Sequence, residues 1–236
     1  MKRYDDAIQT STQRLRRHLK KRRSKMKQPR TIFVTVGTTL FDELIENILN
    51  EKFLSAACSH GYSKLIVQYG KGSTRMPKED EGRQRKGETD DGTYSGVLKI
   101  DSSNSLFWEA YRFKPSLNQD MTSADLIISH AGAGSIMEGM EQCRKRILKK
   151  DPGEWIKRLV VVINAGLMDN HQSELAEALE RRGYLLMLLE PNLLHQDGIF
   201  EKINKFEPKC FNGGNDNAFG NVLDEFMGDE NGKKIQ

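Results

Sequence analysis

The sequence predicts an α/β fold, a parallel sheet with helices on both faces. Three observations carry this. Thr31–Val36 (TIFVTV) and Leu159–Ile163 (LVVVI) are apolar on both parities, as strands buried on both faces must be. Each run ends at a turn containing glycine. Helical spacing of apolar residues then follows, so strands and helices alternate through short loops.

The elements follow in order. Gly37-Thr38-Thr39 ends the first strand, and Phe41, Leu44, Ile45, Ile48 and Leu49 mark one face of a helix. Lys64–Tyr69 (KLIVQY) reads as a strand ending at Gly70-Lys71-Gly72. Residues 71–96 hold many charges and almost nothing apolar, which predicts a mobile surface loop. A short strand is expected at Val97–Ile100, a helix over Pro115–Ser123 and a strand at Leu126–Ser129. The loop from His130 to Ser135 then opens a helix near Ser135 or Ile136. Residues 144–158 read as a charged connection into Leu159–Ile163. Leu175, Ala176, Ala178 and Leu179 give the next helix its apolar face, Gly183 stops it, and Tyr184–Leu189 is a further strand. Ile199, Ile203 and Phe206 mark another helix. The organisation is an arm at 1–30, a domain at 31–206 and a peripheral tail at 207–236, with a short helix expected around Phe219, Val222, Leu223 and Phe226.

Composition sets the class. Of 236 residues, 37% are hydrophobic and 30% charged, enough for one core in a soluble chain. Residues 1–30 carry twelve Lys or Arg against two Asp or Glu, whereas the remainder carries twenty-five against thirty-one. The arm therefore sets the basic balance, and its reading stays open between a solvated segment and one drawn to an anionic surface. Nucleic-acid binding is disfavoured by the acidic remainder and the lack of interleaved aromatic and basic residues. Cys58, Cys143 and Cys210 are odd in number and far apart, which argues against a disulfide framework and for a reducing compartment. The longest apolar run is far short of the roughly 20 residues of a bilayer span.

In a parallel sheet of this kind, ligands bind beyond the carboxyl ends of the strands. Three loops are expected there: 37–39, 130–135 and 164–172. In the second, Gly132 and Gly134 allow close backbone approach, and the helix start behind Ala133 presents free N–H groups to an anion. Ser135 can cap that helix or donate to a phosphate oxygen, and Glu138 lies one turn further on, within reach of ribose hydroxyls. Taken alone, this loop is equally an ordinary tight turn. It is not a dinucleotide fingerprint or a nucleophile elbow, both of which need glycine where Met137 stands. The third loop, Asn164 to Glu174 (NAGLMDNHQSE), offers Asn164, Asn170, His171 and Gln172 as hydrogen-bonding groups suited to a sugar, or it is simply a capped helix start. His130, His171 and Asp169 lack any metal-ligand spacing, so no metal is expected. His18, His60 and His195 are read as incidental.

Four stretches in one order, Val34–Leu44, Val67–Gly72, Ala124–Glu138 and Val160–Ala176, resemble glycosyltransferase family 28. Within it the chain is similar to the catalytic subunits of the UDP-N-acetylglucosamine transferases of asparagine-linked glycosylation. It also resembles, more distantly, the C-terminal half of the bacterial enzyme MurG. The resemblance covers Thr31 to about Glu190. It implies a Rossmann-like domain equivalent to the C-terminal, donor half of a GT-B glycosyltransferase. It implies transfer of N-acetylglucosamine from UDP-N-acetylglucosamine to dolichyl-diphosphate-N-acetylglucosamine, by inversion and without a cofactor. It also implies a membrane-anchored subunit that supplies the acceptor half, at the cytosolic face of the endoplasmic reticulum. Gly37, Thr38 and Thr39 correspond to the family's first glycine loop. Gly132, Ala133, Gly134 and Ser135 correspond to its phosphate loop, and Glu138 to its ribose-binding acid. Asn164, Met168, Asn170, His171 and Gln172 fall in the donor-binding segment that reads the sugar. His130 and His171 are the candidates for a catalytic base in this chain, unless the base lies on the partner. The basic arm, the 71–96 loop and the 144–158 connection depart from the family pattern. A non-catalytic nucleotide-sugar-binding or scaffold subunit is the alternative.

Overall fold

The computed structural model describes residues 29–73, 84–88, 93–149, 155–164, 166 and 170–211. The expectations for the arm before Pro29, for Met168 and Asp169, and for a helix around Phe219–Phe226 lie outside the described residues. So do parts of the 71–96 and 144–158 segments.

Eight strands form one sheet: β1 (Arg30–Thr35), β2 (Tyr62–Gln68), β3 (Gln84–Glu88), β4 (Tyr94–Lys99), β5 (Ser105–Tyr111), β6 (Leu126–His130), β7 (Arg158–Val162) and β8 (Leu186–Leu188). Their order is β3-β4-β5-β2-β1-β6-β7-β8. From β5 to β8 all neighbours are parallel; β4 and β3 extend the β5 edge antiparallel. The helices are α1 (Asp42–Ile48), α2 (Glu51–Ser59), α3 (Asn118–Ser123), α4 (Ala133–Lys149), α5 (Asn170–Arg181) and α6 (Ile199–Lys205), with a 3-10 turn at Pro191–His195.

The unbroken apolar runs are explained by two cores, one on each face of the sheet. Ile32 and Val34 of β1 point into a core shared with α1, α2 and α6. Phe33, between them, points the other way, into a core shared with α3, α4 and α5. All six residues of β1 and all five of β7 are buried. In α4, Ile136, Met140 and Cys143 recur at helical spacing and are buried. Each fully buried large side chain contributes about 1.5–3 kcal/mol, which anchors the helix firmly behind its free amino end.

Several expectations are corrected. Segment 71–96 is not one open loop: it contains β3 and the start of β4. An edge strand needs an apolar pattern on one face at most, because backbone pairing with its neighbour does the rest, so polar composition does not exclude it. Strand β5 (SLFWEAY) was not expected at all, although Leu106, Trp108 and Ala110 alternate inward at period two. The helix expected after β1 is α1, and a further helix, α2, follows it. Asn50 separates them, its side chain accepting from the backbone N–H of Lys52 at 2.9 Å to cap α2. Helix α4 starts two residues earlier than expected and runs through Lys149, taking the first part of the charged connection. Strand β8 is confined to Leu186–Leu188.

At the amino ends of the strands two buried arginines tie elements together. Arg30 donates to the His60 carbonyl at the end of α2 and to Asn204 of α6, and Arg158 donates to the carbonyls of Phe206 and Ile156. Cations at helix carboxyl ends are favourably placed for the helix dipole. The opposite ends of the strands are where the glycine loops emerge.

Candidate functional site

The loops at 37–39, 130–135 and 164–166 leave the carboxyl ends of β1, β6 and β7, three adjacent parallel strands. The chain passes from β1 to β2 on one side, then crosses to β6 on the other. By topology that reversal marks a crevice position between the loops after β1 and β6, where such sheets bind ligands.

Helix α4 begins in that crevice. The Gly132 carbonyl accepts from the Ile136 N–H at 3.0 Å, so Gly132 stands just before the first turn. Ser135 is therefore the third residue of the helix and not its cap, which corrects one of its two expected roles. Ala133 and Gly134 are exposed. A Cβ built on Gly134 meets nothing within 4 Å. The first-turn N–H groups have no helical acceptor, and 17 residues of aligned dipoles stand behind them.

The imidazole of His130 lies between the two glycine loops. A Cβ on Gly37 would come to 2.6 Å from His130 Cε1, and one on Gly132 would overlap Nε2 more closely still. Gly37 also has φ 60°, a left-handed conformation that side chains resist. His130 is 7% exposed, and its Nδ1 is buried without a partner. Burial holds its pKa below the ordinary 6.5, opposed by the backbone of Thr35.

A polar network fixes the first loop. Thr35 and Gln68 are register partners across β1 and β2. The Thr35 hydroxyl donates to Gln68 Oε1 at 2.6 Å and accepts from the Gly37 N–H at 3.2 Å. Gln68 Nε2 donates to the carbonyls of Gly37 and Arg112, each at 2.7 Å. The Thr39 hydroxyl donates to the Val36 carbonyl at 2.7 Å, so it holds the turn, while Thr38 is exposed. The Thr39 carbonyl accepts from the Lys71 N–H, which seats the 70–72 turn on this loop.

Asn164 joins the first and third loops. Its Nδ2 donates to the Leu40 carbonyl at 3.0 Å, and its Oδ1 accepts from the Gly166 N–H at 3.1 Å. Asn170, His171 and Gln172 form the first turn of α5, the next helix in the chain after β7. Glu138 is exposed one turn behind Gly134. It borders a cavity of about 510 Å³ shared with Met121, Gln142 and Phe211. Two larger hollows of about 670 Å³ each lie away from the glycine loops, one around Arg30, Trp155 and Arg158, the other between α2 and residues 195–201. Size does not decide among these places. The crevice alone combines a free helix start with glycines that admit a ligand, and we take it as the site on that chemistry. Among the described residues no cluster of His, Cys, Asp or Glu is arranged as a metal site.

Residues 31–148 match the glycosyltransferase family 28 C-terminal domain. The chain belongs to that family. Its likeness to a curated relative extends further: it is 33% identical over 211 residues to the UDP-N-acetylglucosamine transferase subunit ALG13 of Cryptococcus neoformans, covering 86% of this chain and 99% of that one. The human protein of the same name is 39% identical over 154 residues, 65% of this chain but 10% of its own length. Among solved structures, the NMR solution structure of ALG13 superposes with a TM-score of 0.53 at 24% identity, over 80% of this chain and 94% of that one. The family-28 domain thus spans β1 through α4, including both glycine loops around His130.

The buried imidazole leads to a pH prediction. The folded-state pKa of His130 lies below 6.5, so the unfolded chain takes up this proton first as pH falls. This contribution to stability is intact above about pH 6.5 and lost progressively below it. Urea unfolding of wild type and His130→Asn at about pH 7.5 and about pH 5.5 checks it. The variant is expected to lose less stability between the two; an equal loss contradicts the assignment.

Proposed function

We propose that this chain is the donor-binding, catalytic subunit of a heteromeric transferase that moves N-acetylglucosamine from UDP-N-acetylglucosamine to dolichyl-diphosphate-N-acetylglucosamine. The observation that carries the reading is the open start of α4, at the sheet's reversal point in a family-28 domain. The names of its relatives supply the sugar nucleotide.

In this reading the acceptor hydroxyl attacks C1 of the sugar from the face opposite the diphosphate. A C–O bond forms, the bond from C1 to the diphosphate oxygen breaks, and UDP departs with inversion. Negative charge grows on the leaving diphosphate. The N–H groups of Ala133, Gly134 and Ser135, aimed there by a fixed helix, stabilise it without reorganising. The Ser135 hydroxyl donates to a phosphate oxygen, and Glu138 accepts from the ribose. Gly37, Thr38 and Thr39 close over the diphosphate from the other side. Met168, Asn170, His171 and Gln172 are assigned to the N-acetylglucosamine by the family resemblance, and Asn164 donates to the Leu40 carbonyl of the first loop. The proton leaving the acceptor goes to a base. His171 and the neutral His130 are the candidates here, unless the partner provides it.

The acceptor lipid makes a partner necessary. No helix among the described residues is long and apolar enough to cross a membrane. Drawing a polyisoprenyl chain into water costs about 0.8 kcal/mol per CH₂. A membrane-anchored subunit at the cytosolic face of the endoplasmic reticulum would present the acceptor across the open crevice. The basic arm at 1–30 would add attraction to an anionic surface.

Gly134→Val is expected to weaken UDP binding by about a hundredfold, the loss of one or two charge-assisted hydrogen bonds. Its thermal midpoint should hold or rise, since glycine is a poor helix former. Calorimetric titration with UDP checks this, and unchanged affinity in the folded variant refutes the site. A second experiment measures product on a dolichol-linked acceptor. Purified chain alone should transfer little, and activity should appear when the membrane-anchored subunit is added. Full turnover by the chain alone would overturn the split-enzyme reading.

A further inference from the structure

Gln68 is a polar residue in an otherwise apolar buried strand, and it is 1% exposed. Its amide is engaged at both ends: Oε1 accepts from Thr35, and Nε2 donates to two carbonyls, those of Gly37 and Arg112. Those carbonyls belong to the segments leaving β1 and β5, on either side of β2. One side chain therefore sets the separation of two loops that backbone pairing no longer controls, because both lie past the last ladder positions. Gly37 in turn lies against the His130 ring, and the ring lies against Gly132 at the start of α4.

We propose that Gln68 is a positioning residue for donor binding, acting through Gly37 and His130 to fix the spacing of the two glycine loops. It touches no ligand. The ring packs so near both glycines that an added Cβ on either would overlap it, so a shift of Gly37 is transmitted to His130 and on to Gly132. The alternative is that Gln68 merely satisfies buried carbonyls and serves stability. The two differ in a measurable way. A stability role lowers the melting temperature and leaves the folded site unchanged. A positioning role loosens the loop and weakens the ligand in protein that is still folded.

The inference rests on the donor-binding reading for its ligand, and the experiment separates the two. Amide hydrogen exchange and UDP titration are measured on the full chain as wild type, Gln68→Met and Ile66→Val. The last is a core change on the same strand that touches neither loop's network. In Gln68→Met, exchange at Gly37 and Thr39 should accelerate by about tenfold or more, while Val160–Val162 stay protected. The dissociation constant for UDP should rise by about tenfold, and Ile66→Val should do neither. Unchanged loop exchange and unchanged UDP affinity in folded Gln68→Met overturn the proposal, as does equal loosening by Ile66→Val. If wild type fails to bind UDP, the donor reading falls, and the exchange comparison still decides whether Gln68 holds the loops. If Gln68→Met does not fold, Thr35→Val, which removes the hydroxyl that accepts from Gly37, carries the same comparison.

Discussion

The close approach of both Gly37 and Gly132 to the Cε1–Nε2 edge of the His130 imidazole is the contact on which the candidate site depends. A Cβ on either glycine would overlap the ring, which is itself buried. The contact fixes how far the first loop stands from the start of α4, and so the width of the crevice. Protein interiors are close-packed and bistable rather than freely deformable, so such a spacing is held or lost, not graded. It also explains why the basicity of the imidazole is lowered by burial. A charged ring between two backbone loops, with Nδ1 unpartnered, would be strongly disfavoured by desolvation.

Electrostatics and topology converge on the same place. The reversal of strand order between β1 and β6 puts their loops where such sheets bind ligands. Helix α4 begins there and buries one face against β6 and β7, so the donors cannot swing away. At the other end of the sheet the charges are inverted in purpose. Arg30 and Arg158 are turned inward onto carbonyls, and their basicity is lowered chiefly by burial. Those cations hold helices in place, whereas the amino end of α4 remains free for a ligand.

Much of this is legible in the sequence, for identifiable reasons. Burial on both faces leaves the unbroken runs TIFVTV and LVVVI, and the two glycine loops that follow β1 and β6 are set by backbone requirements that few residues meet. What escaped had weaker local signals. Strand β5 alternates, but it is short and lies between bends at 101–103 and at 112 and 115. Strand β3 is held by pairing with β4 rather than by its own composition. The start of α4 is harder to read because Ser135 is a capping residue type, while the helix begins at Ala133, just after Gly132. Gln68 and Thr35 were visible only as polar interruptions in apolar strands. Their common purpose appears once register places them side by side.

The central claim is that the ligand binds at the amino end of α4, between the glycine loops. The most direct measurement is a titration of the ¹⁵N-labelled chain with UDP, followed by amide chemical shifts. The account predicts the largest changes at Gly132–Ile136 and Gly37–Thr39, with none around Trp155 and Arg158 at the opposite end of the sheet. Changes centred on that opposite hollow, with the glycine loops silent, would contradict it.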